Sequence, residues 1–202
     1  MENLSIIIAL IALVISISTF WLTRIKTGRI KMTRPTVIFF GPDGVGETHK
    51  KVFIRTLLYS TSDKGKYIQN MFVRLQRGES VQNFNIWVYD SNGLVRGSGL
   101  YVNKSGIASN HHFLMPKDGS SYNFLAGEYK MQIFVETVNE KPKKIFEQIL
   151  VLSEKQQDEM IEKKAGTYFD WAPNNQNYFS HVDTGPKKEK ELIDLIHKLT
   201  DE

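Results

Sequence analysis

The sequence predicts a mainly β protein: a single N-terminal transmembrane helix, then an antiparallel β-sandwich or barrel, with two short helices near the C-terminus. Three observations lead there. Leu4 to Leu22 is a run of nineteen residues without a charge. Short runs rich in β-branched and aromatic residues then recur between turn signals from residue 36 to residue 152. Finally, no alternation of strand and helix appears of the kind that builds a parallel sheet.

As a helix, the leading run extends roughly 28 Å, close to the ~30 Å hydrocarbon core of a bilayer. Twelve of its nineteen residues are Ile, Leu, Val or Phe, each favouring insertion. Ser5, Ser16, Ser18 and Thr19 offset this only in part, because their hydroxyls can bond back to helix carbonyls. The rival reading is a secretory signal peptide, which carries a positive start, a shorter apolar core and a small-residue cleavage site. Here Met1-Glu2-Asn3 precedes the run and Phe20-Trp21-Leu22 closes it, so residues 1–22 are read as an uncleaved anchor. Arg24, Lys26, Arg29, Lys31 and Arg34 follow with no acid before Asp43. Flanks rich in Lys and Arg stay on the cytoplasmic side, so the N-terminus is expected outside and residues 23–202 inside. Residues 23–35 are expected to be a basic juxtamembrane linker. Its charges set topology, and they also suit anionic lipid.

The formal charge of +4 is modest and owes much to this linker, so no nucleic-acid partner is implied. The absence of cysteine fits a reducing compartment, and equally a periplasmic chain that uses no disulfides. Strands are expected at Thr36–Phe40, Val52–Ser60, Tyr67–Gln76, Val81–Asp90, Leu94–Val102, Ile107–Met115, Tyr129–Val138 and Ile145–Leu152. Between them stand glycine and Asx turns such as Asp63-Lys64-Gly65, Arg77-Gly78-Glu79 and Ser91-Asn92-Gly93. Residues 36–152 thus form the β domain, and 153–202 a helical and irregular extension. In the extension, Ser153-Glu154-Lys155-Gln156 reads as a capping box that opens a helix to about Lys164. An aromatic tract follows and is expected to be irregular. Pro186 then begins a second helix with a stripe of Leu192, Leu195, Ile196 and Leu199, a seal against its own domain or a short dimeric coil; a homo-oligomer is left open.

The stretch Phe124-Leu125-Ala126-Gly127-Glu128-Tyr129, followed by an alternating strand, resembles the immunoglobulin-like sandwiches, many of which carry L-x-x-G-x-Y at one corner. The resemblance implies a structural role for Gly127 at the corner and for the Tyr129 hydroxyl bonding back to nearby backbone. It also offers Trp87 as the core tryptophan. It is a fold-level likeness over residues 36–152 and carries no function.

Gly41-Pro42-Asp43-Gly44-Val45-Gly46-Glu47-Thr48 resembles the P-loop of nucleotide kinases, except that Glu47 stands where the phosphate-binding lysine is required. Val52, Phe53, Ile54 and Thr56 favour a strand after it rather than the helix a P-loop opens. His111 and His112 point to opposite faces of a strand and lack metal-ligand spacing, so no metal and no cofactor is expected. No G-x-S-x-G motif, cysteine nucleophile or paired carboxylate signals an enzyme.

Two functions compete. The first is a membrane-anchored binding module that meets another protein at the cytoplasmic face through Trp171, Tyr178 and Phe179 of the aromatic tract. The second is a membrane-tethered sensor or effector that binds a small anionic, nucleotide-like ligand through Arg96, Ser98, His111 and His112. A filled core would oppose the second reading, and a basic interior pocket would favour it.

Overall fold

The structure, a computed structural model, describes residues 2–25, 28–44, 49–90, 93–97, 99–116 and 121–183. Helix α1 (Glu2–Phe20) continues into a wider turn at Trp21–Ile25. Ser16 and Thr19 each donate to the carbonyl four residues back, which satisfies their hydroxyls within the helix. Among the described residues this is one helix long and apolar enough to cross a membrane, and none of it is covered by the rest of the chain.

The body is mainly β and antiparallel. Its larger sheet contains β1 (Ile30–Met32), β2 (Val37–Pro42), β3 (Lys50–Ser60), β6 (Ile86–Asp90), β7 (Leu94–Arg96), β9 (Ile107–Leu114), β12 (Gly166–Ala172) and β13 (Asn177–Asp183). The order is β13-β12-β2-β3-β9-β6-β7, with β1 also on β3. The smaller sheet contains β4 (Lys66–Arg77), β5 (Ser80–Phe84), β8 (Leu100–Val102), β10 (Gly127–Thr137) and β11 (Lys143–Leu152). Its order is β11-β10-β4-β5, with β8 also on β4.

One apolar core is built from both sheets. Ile38, Ile54, Leu58, Phe113 and Phe169 come from the larger sheet, and Ile68, Val73, Leu75, Met131 and Ile133 from the smaller. Phe40 joins the two: its ring lies 5.1 Å from Phe169 and 5.7 Å from Tyr129, and it stacks on Phe124 at 5.0 Å. Alternation sets which residues enter. Along β10, Tyr129, Met131, Ile133 and Val135 are buried while the residues between them face out.

Two of the expected strands are each two. Val81–Asp90 divides at Asn85, with β5 pairing with β4 and β6 with β9. Phe84 and Trp87 are three positions apart and would face opposite sides of an unbroken strand; the break lets both enter the core. Leu94–Val102 likewise divides into β7 and β8, in different sheets.

The sheets also extend past the expected limits. The stretch read as a linker already holds β1, which pairs with Leu58–Ser60 of β3. The tract read as irregular is the hairpin β12–β13, which lies against β2. Helix α2 (Glu154–Lys163) has the expected cap. Ser153 Oγ accepts from Gln156 N, Gln156 Oε1 accepts from Ser153 N, and Lys164 ends the helix at φ 50°. The second expected helix, from Pro186, lies outside the described residues.

The corner before β10 is tied by Tyr129. Its hydroxyl donates to Leu125 O at 2.6 Å and accepts from Leu125 N at 2.9 Å, while Gly127 takes φ 138°. Replacing Tyr129 by Phe is expected to lower stability by about 1–2 kcal/mol, because two backbone groups lose their partner without a change of shape. Urea denaturation of Tyr129→Phe checks this; an unchanged midpoint would mean that water replaces the hydroxyl.

Candidate functional site

Because partners in a ladder face the same side, the register of the larger sheet lines up seven residues across seven strands. From β7 to β13 they are Arg96, Val88, His112, Phe53, Phe39, Tyr168 and His181. All lie on the outer face, away from the shared core. Phe53 and His112 rings are 4.9 Å apart, Phe39 and Tyr168 4.7 Å, and Tyr168 and His181 5.5 Å. Phe53, Tyr168 and His112 are half-buried and His181 is exposed.

Two glycines make room for the row. A β-carbon at Gly41 or Gly166 would overlap the Phe39 ring, so the ring lies flat against both strands and is nearly covered. Charges border the row. Lys51 sits 6.0 Å over Phe39 and pairs with Asp43 at 3.3 Å. Asp170 pairs with His181 at 3.2 Å, and Arg55 is exposed one row away. The arrangement is an aromatic strip with mixed charge at its edges.

The residues proposed from sequence do not form one site. Arg96 and His112 share this row but are separated by Val88, about 10 Å apart by strand spacing. Ser98 lies outside the described residues. His111 faces inward, fully buried, and its Nδ1 accepts from Trp87 Nε1 at 3.1 Å. The other nitrogen, Nε2, therefore carries the proton, and it has no partner. Trp87, 2% exposed, lies on β6 in the larger sheet.

The aromatic tract is also divided. Tyr178 is a core residue whose hydroxyl donates to Pro35 O at 2.7 Å. Trp171 is half-buried beneath the Arg34 guanidinium, 3.9 Å from the ring centre. Only Phe179 is open, at 53% exposure. No sequence motif marks Phe39, Phe53 and Tyr168 as parts of one site. Their one local signal is the alternation Thr167, Phe169 inward with Tyr168, Asp170 outward, which the neighbouring Asn174, Asn175 and Asn177 conceal.

A cavity of about 560 Å³ opens at the far end of β3 from β1, between α2 and residues 121–125. Phe124, Met160 and Ala165 line it, with Lys50 and Lys164 also contributing. The glycine-rich segment beside it leads from β2 to β3, which begins at Lys50, so a strand follows where a phosphate-binding loop requires a helix. Among the described residues no three His, Asp or Glu side chains gather as a metal site would need.

No family model matches the chain, and no curated protein does. A solved structure described as the ApaA protein from Bordetella pertussis is similar at 14% identity and a TM-score of 0.35, over 63% of this chain and 96% of that one. What fold and site define is a class: an antiparallel β protein of two sheets behind an N-terminal apolar helix, with an aromatic strip on its larger sheet.

Burial above all, and then the neighbouring His112, lowers the His111 pKa from 6.5 to about 4. Between those values the unfolded chain binds a proton that the folded one refuses, so stability rises with pH there. Stability is expected to be complete above about pH 6.5 and to fall by roughly 3 kcal/mol on the way to about pH 4. Denaturation midpoints against pH check this, and His111→Gln should flatten the slope.

Proposed function

We propose that this chain is a single-pass membrane protein whose body is an immunoglobulin-like sandwich that binds another protein across the outer face of its larger sheet. Support for the fold is the strand order. In an immunoglobulin sandwich, A-B-E-D faces a second sheet of G-F-C with C′ beside C. The orders β2-β3-β9-β6 and β11-β10-β4-β5 correspond strand for strand, and Tyr129 stands near the start of the strand in the F position. Trp87 departs from the pattern, since the tryptophan of that family stands on strand C and β6 takes the place of D.

The observation that carries the binding reading is the aligned strip of His112, Phe53, Phe39 and Tyr168 on the outer face of the larger sheet, turned away from the core that the two sheets share. Rigid aromatic side chains on a flat scaffold supply large contact area at little entropic cost. The small-anion reading loses its support, because the interior between the sheets is filled with apolar side chains and His111 is committed to Trp87.

Orientation follows from the charges beside the helix, basic after it and with Glu2 before it, so the body lies in the cytoplasm. In sealed vesicles with the cytoplasmic side enclosed, the body is expected to resist added protease; digestion of an intact vesicle's body would reverse the orientation. A photocrosslinking phenylalanine analogue at position 53 is expected to give a discrete protein adduct in native membranes. The same group at position 69, on the outer face of the smaller sheet, should give none. Equal adducts at both positions, or none at 53, would remove the strip as the interface.

A further inference from the structure

The link between helix and body is very short. The helical segment runs to Ile25, and the body begins at Gly28, whose N–H donates to Ser62 Oγ at 3.0 Å. Arg29 then exchanges two bonds with Thr61, donating to Oγ1 at 2.9 Å and accepting from its N–H at 3.0 Å. Three Cα–Cα steps separate Ile25 from Gly28, a reach of at most about 11 Å. The end of the body that carries Gly28 is therefore confined to the neighbourhood of the helix end. If the helix spans a bilayer, that is the depth of the lipid headgroups.

That end of the body is basic. The turns meeting there hold Lys64 and Lys104, Lys66 opens β4, and Lys141, Lys143 and Lys144 follow β10. The acids present are Asp63, paired with Lys104 at 2.9 Å, Glu140, and Glu136 near the end of β10. A cavity of about 340 Å³ lies among these groups, between β1 and the β10–β11 turn. Its wall holds four cations, Arg29, Lys66, Lys143 and Lys144, against one carboxylate, Glu140, and Ile30 and Ile145 add apolar surface.

The pairing within the cavity leaves positive charge over. Glu140 accepts from Lys66 on one oxygen and from Lys143 on the other, and Lys143 above all, then Lys66, holds its carboxyl down to about 2. It is ionised at any physiological pH and still faces two lysines. Lys144 leans to Glu147 at 2.6 Å, outside the cavity. Among the described residues no carboxylate forms an ion pair with Arg29.

We propose that this cavity takes the phosphate of an anionic phospholipid headgroup from the same bilayer that holds the helix, so that the body is docked on the membrane as well as tied to it. The proposal rests on reading the helix as an anchor. Its chemistry is recognition of a phosphate ester by converging Lys and Arg, with an apolar wall for the glycerol side of the headgroup. A soluble phosphate shares that chemistry, but the short link favours the lipid, since headgroups surround the cavity's mouth at high local concentration.

The chain has no cysteine, which permits a single reporter. Full-length protein with Ser105→Cys, bearing an environment-sensitive dye, is reconstituted into phosphatidylcholine vesicles with and without phosphatidylglycerol. A blue shift confined to phosphatidylglycerol vesicles is expected. It should be lost in Lys66→Gln/Lys143→Gln, lost also in Arg29→Gln, which breaks no ion pair among the described residues, and kept in Lys155→Gln/Lys163→Gln on α2. An unchanged shift in Arg29→Gln, with the fold intact by circular dichroism, overturns the site. Abolition of the shift by inorganic phosphate, but not by chloride at equal ionic strength, would assign the cavity to a soluble anion and overturn the lipid. Release of the full-length chain by alkaline carbonate would overturn the anchor itself, an outcome separate from an integral protein that ignores phosphatidylglycerol.

Discussion

Strand β3 is the constraint on which the other elements depend. It is the strand with three partners in the larger sheet, with β1 and β2 in succession along one edge and β9 along the other. Val52, Ile54, Thr56 and Leu58 turn into the core, while Phe53 and Arg55 turn out onto the open face. The same alternation that fills the interior therefore fixes the place of the aromatic strip. A slip of one residue along β3 would exchange the two faces and lose both.

The edge shared by β1 and β2 is interrupted, and the interruption is held by threonines. Thr33 N donates to Leu57 O at 2.9 Å, Leu57 N donates to Thr33 Oγ1 at 3.1 Å, and Thr56 Oγ1 donates to Thr33 O at 2.6 Å. Side-chain oxygens thus take the positions that backbone groups fill in a regular ladder, and the strand bends without leaving buried polar groups open. Pro35, just beyond, has no N–H to place, and its carbonyl accepts from Tyr178. In this way the hairpin β12–β13 is joined to the start of the body, 143 residues away in sequence.

Much of this fold was legible in the sequence where local pattern and burial agree. The alternation of β10, the cap of α2 and the apolar helix are each written in a short window of residues. Breaks within β5–β6 and β7–β8 were not legible, because the reason for them is a core shared by two sheets, and Phe84 and Trp87 reveal it only once both are known to point inward. The hairpin β12–β13 escaped notice because its asparagine-rich turn outweighed a seven-residue alternation on either side. The strip was the least legible feature of all. His112, Phe53, Phe39 and Tyr168 come from four strands, and nothing in one strand states which residue of the next will lie beside it. His111 and His112 were correctly expected to face opposite ways, but which of the two would be interior depends on register.

The arrangement of β1 has a mechanical meaning. The ladder bonds between β1 and β3 run across the strands, while the chain leaves β1 along them toward the helix. Traction applied through the helix along that direction strains the three paired positions of β1 together with the bonds at Gly28 and Arg29, in parallel and not one after another. Such a joint resists shear, whereas an edge pulled sideways peels open bond by bond. The body is thereby suited to withstand a pull applied through the helix without unravelling at the first strand.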